Sequence, residues 1–185
     1  NSRSKLILLR YGINGDTYYD NLSSETQNFI DSRQTYYNSS SVPHSFLNGQ
    51  SLSSGSSASQ SNIDENSEEY TIFKLSLGKS DKVSVLIENL SGTSTSTTLK
   101  VYTLLVEMEH TFDSAPGPNG QTHFEYSVLD LLDSRPLSFP NGDTSVTYTF
   151  DYPNSIPNIN GHTPTKLALV TFIQDDSTNQ VLQAI

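Results

Sequence analysis

From Lys82 onward the apolar positions recur with a period of two. Val83, Val85 and Ile87 alternate with small or polar neighbours, and "TLKVYTLLVEME" puts Leu99, Val101, Thr103 and Leu105 on one face. "SVTYTFDY" does the same with Val146, Tyr148, Phe150 and Tyr152. This is the period of a pleated strand, whose side chains point alternately to its two faces. Between these runs lie "SGTSTST", "SAPGPNGQ", "FPNGD" and "NINGHTP", turn chemistry at spacings suited to an antiparallel β-sandwich. The final "KLALVTFIQDDSTNQVLQAI" reads as a hairpin with its turn at Asp175 to Asn179.

Ahead of Lys82 the pattern differs. "KLILLRYGI" (Lys5 to Ile13) is a continuous apolar run that suits a strand covered on both faces. "NGDTYYDN" reads as a loop. Ser24 with Gln27 forms a capping-box pattern, and Phe29, Ile30, Arg33, Tyr36 and Tyr37 follow at helical spacing, predicting a helix over 24–37. Pro43 has no N–H to give a ladder and so fits the opening of a short strand, "HSFLN", which Asn48-Gly49 ends as a turn. "SLSSGSSASQS" is a serine-rich connector. In "NIDENSEEYTIFKLSLGK" the early acids, the Tyr70, Phe73 and Leu77 spacing and the stop at Gly78 predict a second helix. The fold class is therefore α+β, mainly β: an α/β unit over 1–78, then a β-sandwich over 79–185.

Composition narrows the function classes. A chain of 185 residues, 34% of them hydrophobic, can bury a medium-sized core. Only 16% of residues are charged while Ser, Thr and Asn abound, a balance commoner in extracellular β-proteins than in cytosolic enzymes. The net charge of -10 repels phosphate backbones and anionic lipid, so no nucleic acid partner is expected. With no cysteine there is no disulfide, thiolate metal site or Cys nucleophile. No apolar run approaches the roughly 20 residues of a membrane helix, so no membrane insertion is expected. The opening "NSRSKLILL" enters a buried-type strand almost at once, which predicts that Asn1 is not the start of the gene product.

Candidate chemistry is sparse. His44, His110, His123 and His162 show no HxH or HExxH spacing, so no metal and no cofactor are expected. Asp175, Asp176 and Asn179 could offer oxygen ligands to calcium, although an acidic hairpin turn explains them more simply. No GxSxG elbow appears, and Glu107, Glu109 and Glu125 read as solvent-facing or edge positions rather than paired glycosidase carboxylates. The chain reads as a non-enzyme. Tyr18, Tyr19, Tyr36, Tyr37, Tyr148 and Tyr152 form either an aromatic contact face or ordinary packing.

The ending "LALVTFIQDDSTNQVLQAI" resembles the closing signature of the outer membrane protein twenty-eight family of Bacteroidota surface proteins. "YYNSSSVPHSFLNG" is similar to that family's segment of paired Tyr, Val-Pro and Asn-Gly, and "GPNGQTHFEYSVLDLL" to its mid-sandwich segment. The resemblance implies a thioredoxin-like unit followed by an immunoglobulin-like sandwich, with Pro43 as a structural cis-proline. It also implies a first strand and helix, often bearing Cys-x-x-Cys, upstream of "KLILLRYGI"; the unit over 1–78 would then be partial.

These readings together point to a secreted or cell-surface, non-catalytic binding, adhesion or assembly module, located extracellularly or on the outer cell surface. Two alternatives stand beside it. One is a thioredoxin-like redox or chaperone protein whose cysteine segment lies upstream, and the other a structural subunit of an extracellular surface assembly. A partial unit would leave an interaction face at Leu6, Leu8, Phe29, Tyr36, Tyr37 and Phe46, to be covered by a protein partner or an upstream segment of the same gene product. Asp113-Ser114-Ala115 resembles a Bacteroidota O-glycan acceptor, which would put the glycan on Ser114, and Asn21, Asn38 and Asn89 stand in N-x-Ser sequons.

Overall fold

The computed structural model describes residues 7, 9–40, 44–52, 71–92, 97–117 and 120–185. Strands dominate them. In chain order the elements are α1 (Thr17–Asp20), α2 (Ser24–Tyr36), β1 (Phe46–Leu47), β2 (Gln50–Ser51), β3 (Phe73–Lys79), β4 (Lys82–Asn89), β5 (Leu99–Thr111), β6 (His123–Pro136), β7 (Ser145–Asp151), β8 (Leu167–Asp175) and β9 (Val181–Ala184). Apart from the small β1-β2 hairpin, the strands form a three-stranded sheet, β3-β4-β7, and a four-stranded sheet, β6-β5-β8-β9. All their pairings are antiparallel.

The expected alternation appears in the packing. Val83, Val85 and Ile87 of β4 are buried with Phe73, Leu75 and Phe150, and from the facing sheet Leu99, Val101 and Ile173 close this cluster. Residues one step along, Tyr102, Leu104, Val170 and Phe172, belong to a second cluster with Tyr18, Tyr19, Leu22, Phe29 and Ile30. The four-stranded sheet is thus covered on both faces, by the other sheet on one and by the helices on the other. The covered stretch of β5, Val101 to Glu107, is buried without a break.

Three local expectations are corrected. Over Phe73–Lys79 the chain is strand β3, paired with β4 along its length, not the C-terminal part of a second helix. Phe73, Leu75 and Leu77 satisfy a period of two as well as Phe73 and Leu77 satisfy a helical one, and partnering by β4 decides between them. The boundary drawn between 78 and 79 accordingly falls inside strand β3. "TYYD" is a single helical turn rather than a loop, capped by the Asp16 side chain and held by burial of Tyr18 and Tyr19. In α2 the cap is Ser23, whose Oγ accepts the Thr26 N–H, while the Gln27 side chain donates to the Tyr19 carbonyl instead of closing a capping box.

Ahead of α1, Arg10 makes a parallel bridge to Ser127: its N–H donates to the Tyr126 carbonyl and its carbonyl accepts the Val128 N–H. In the described part of Lys5 to Ile13 this one bridge stands where a strand was expected. Leu6, Leu8, Pro43 with its peptide bond, and most of the serine-rich connector lie outside the described residues.

Candidate functional site

Two of the segments that carry the family resemblance meet around one side chain. Phe29 and Arg33 of α2 and Tyr37, its C-cap residue, follow at four-residue steps, so they share a face, and this face lies on the four-stranded sheet. Arg33 is only 3% exposed. Its Nη2 donates to the Tyr37 hydroxyl at 2.6 Å and to Oε1 of Gln174, the fully buried glutamine of "FIQDD" at the end of β8. Gln174 Nε2 in turn donates to the Tyr37 hydroxyl at 2.8 Å and to the Asn179 carbonyl at 2.6 Å. No carboxylate lies within ion-pair reach of Arg33 among the described residues. The cation is boxed instead by aromatic faces, with its Cζ 4.4 Å from the Tyr36 ring centre, 4.6 Å from Tyr37 and 4.9 Å from Tyr102. Arg33 Nε is buried and has no hydrogen-bond partner among the described residues.

The β1-β2 hairpin completes the aromatic wall. Asn48 and Gly49, both at positive φ, turn the chain so that Phe46 lies 4.5 Å from Tyr37 and 4.4 Å from His44, ring centre to ring centre. Asn48 accepts the Val181 N–H, and a Cβ on Gly49 would sit 1.6 Å from the Asn179 carbonyl oxygen. Only glycine allows so close an approach between the two hairpins.

Beside Arg33 lies a hollow of about 240 Å³, lined among others by Phe29, Tyr36, Lys100, Tyr102 and Asp176. Lys100 and Asp176 pair at 2.6 Å, and the hydrogen bond to Asp176 holds the lysine above its ordinary pKa. Burial raises the Tyr36 and Tyr102 hydroxyls above the usual phenol value, against the opposing pull of Arg33. The site is therefore a buried cation among neutral phenols. Such a surface can hold a hydrogen-bond acceptor and an apolar or planar group.

Of the predicted interaction face, Phe29, Tyr36, Tyr37 and Phe46 gather here. Phe29 is buried by its own chain, against Tyr11 and Tyr102. Tyr18 and Tyr19 are core residues. Tyr148 stands apart on β7, accepting the Ser138 N–H. Ser114 is exposed in its loop. Asn21 and Asn38 are exposed, whereas Asn89 is 7% exposed with Oδ1 accepting from the Ser91 N–H and hydroxyl. Asp175 Oδ1 accepts from the Thr98 hydroxyl and from the N–H and hydroxyl of Ser177, as a turn-forming residue does. Glu109 and Glu125 are exposed as expected; Glu107 is not, being 1% exposed.

Arg33 and Gln174 were missed as a pair. Arg33 stood in the helical stripe and Gln174 in the closing motif, and only the register of β8 shows that they touch. Comparison with family models, with curated proteins and with solved structures returns no match.

Proposed function

We propose that the chain is a non-catalytic binding or assembly module of an extracellular or outer cell surface, with the Arg33 cluster as its contact site. Membership of the outer membrane protein twenty-eight family, a thioredoxin-like first unit, an immunoglobulin-like sandwich and a protein partner belong to the same proposal. One observation carries it: Arg33 lines a hollow walled by tyrosines, and its buried Nε has no hydrogen-bond partner among the described residues. Leaving a buried donor unmade costs about 1–3 kcal/mol, so an acceptor supplied from outside gains that much in addition to ring contacts. Tyr36 and Tyr37 are half-buried, which leaves ring surface to contact a partner. Contacts of Tyr36, Tyr37, Phe46 and Gly49 from one motif segment and of Gln174 and Asn179 from the other give both segments a shared role.

The partner is a protein that inserts an acceptor-bearing side chain beside Arg33. The test is an NMR titration of the isotopically labelled chain with N-acetylglutamine amide as the side-chain mimic. Saturable shifts at Arg33 Nε–Hε and the Tyr36 ring, abolished in Arg33→Lys, are expected. Shifts absent up to about 10 mM, or spread over the surface without focus on Arg33, would remove the proposal.

A further inference from the structure

At the other end of β5 a second buried polar cluster has no part in the Arg33 site. Glu107 is almost wholly buried, and both its oxygens are engaged: the Tyr18 hydroxyl donates to Oε2 at 2.6 Å, and His162 Nε2 lies 2.6 Å from Oε1. His110 stacks on His162, ring centres 3.5 Å apart and planes 11° from parallel. One donor atom from each of Glu107, His110 and His162 lies within 4.8 Å of the others.

Glu107 and His110 stand three apart on β5, a spacing that faces opposite ways in a regular strand, yet Glu107 is buried and His110 half-buried while Met108 and Glu109 between them are both exposed. His162 comes from a separate loop. Ile159 and His162 exchange both backbone hydrogen bonds across Asn160 and Gly161, each at positive φ, and Ile159 is anchored in the core.

We infer that Glu107, His110 and His162 form a binding site for a divalent transition-metal ion of the zinc class, through one carboxylate oxygen and two imidazole nitrogens. Imidazole nitrogen suits zinc and its neighbours, whereas calcium and magnesium take oxygen ligands. Tyr18 acts as the outer partner, holding Oε2 so that Oε1 faces the imidazoles. Two ligands at zinc distances sit about 3.3 Å apart, so His162 Nε2 and Glu107 Oε1 must part by about 0.7 Å, and the rings must turn out of their stack. Three protein ligands leave a fourth position open. Without a metal, the same residues would be only a charge-assisted His162–Glu107 contact with a stacked ring.

The experiment separates these two states. The 185-residue chain, freed of metal by a chelator, is titrated with Zn²⁺ by calorimetry and with Co²⁺ by visible absorption. One ion per chain, at a Kd on the order of 10 µM or tighter, is expected, with His110→Ala and His162→Ala each weakening it at least about tenfold. Tyr18→Phe should weaken it by a smaller factor. If a variant does not fold, imidazole ¹⁵N shifts of the unaltered chain give the answer: Zn²⁺ should move His110 and His162 and leave His44 and His123 in place. No saturation below about 1 mM Zn²⁺, binding unchanged in either alanine variant, or shifts confined to His44 or His123 would overturn the inference.

Discussion

The two faces of the four-stranded sheet are covered by different chemistry. Toward β3, β4 and β7 the cover is apolar, with Phe73, Val83, Val85 and Ile87 meeting Leu99, Val101 and Ile173. Toward the helices, apolar residues such as Ile30, Leu104 and Phe172 are interspersed with buried Thr26, Arg33, Glu107 and Gln174. Each of these polar residues has a partner across the interface or nearby: Thr26 with Asp130, Arg33 with Gln174, Glu107 with Tyr18. Area burial is non-directional and tolerates small shifts, whereas a buried hydrogen bond is either made or costly. Both faces of the sheet thus bury apolar area, and the helix side adds directional contacts that define the position of its helices. Both candidate sites lie on the helix side.

The largest expected effect is on the apolar face. Phe73 is fully buried, so Phe73→Ala should lose about 3–5 kcal/mol in chemical denaturation. The Arg33 and Tyr37 resonances of the folded fraction should stay where they are. A loss under about 1 kcal/mol would mean that the interior between the two sheets contributes little to stability.

On the polar face the expectation concerns coupling. Gln174→Leu removes the acceptor of Arg33 and the donor to Tyr37 and Asn179, and should cost about 1.5–3 kcal/mol, since the lost bond involves a charged group. Adding Arg33→Met removes the stranded cation, and the double variant should recover part of that loss. A double-mutant cycle in urea should return a coupling on the order of 1 kcal/mol or more. Additivity would show that Arg33 is held by its aromatic box alone.

These faces differ in how far they could be read in advance. Val83, Val85 and Ile87 announce an apolar face because strand burial follows from period alone. The helix over Ser24–Tyr36 was likewise readable, including Phe29, Ile30 and Arg33 as its inward residues. Phe73–Lys79 was misread because a short apolar run fits both periods until a neighbour pairs with it. Glu107 and His110 escaped for a sharper reason: a spacing of three puts residues on opposite faces of a regular strand, and nothing in "VEMEH" signals that both meet His162. The Arg33 cluster escaped because its members are 141 residues apart in the Arg33–Gln174 bond, a matter of topology rather than pattern.

The smallest expected effect lies at the rim, where the polar face meets solvent. Three donors, the Thr98 hydroxyl at 2.7 Å, the Ser177 hydroxyl at 2.7 Å and the Ser177 N–H at 2.9 Å, converge on Asp175 Oδ1. They hold its carboxyl below the ordinary aspartate pKa, with the Thr98 hydroxyl the largest cause. The folded state therefore releases this proton more readily than the unfolded chain does. The stability this confers is fully present above the unfolded aspartate pKa, and it is lost as pH falls from there through the folded value. Asp175→Asn keeps the side-chain shape and removes the charge, so its stability should fall less steeply with acidification over that window than the unaltered chain's. Urea denaturation at a series of pH values from neutrality down measures both slopes. Because Asp175 ends β8 next to Gln174, a shallower acid limb with the Arg33 resonances unmoved would assign the effect to the turn. Identical slopes would show that the three donors set the turn's shape without favouring the ionised carboxylate.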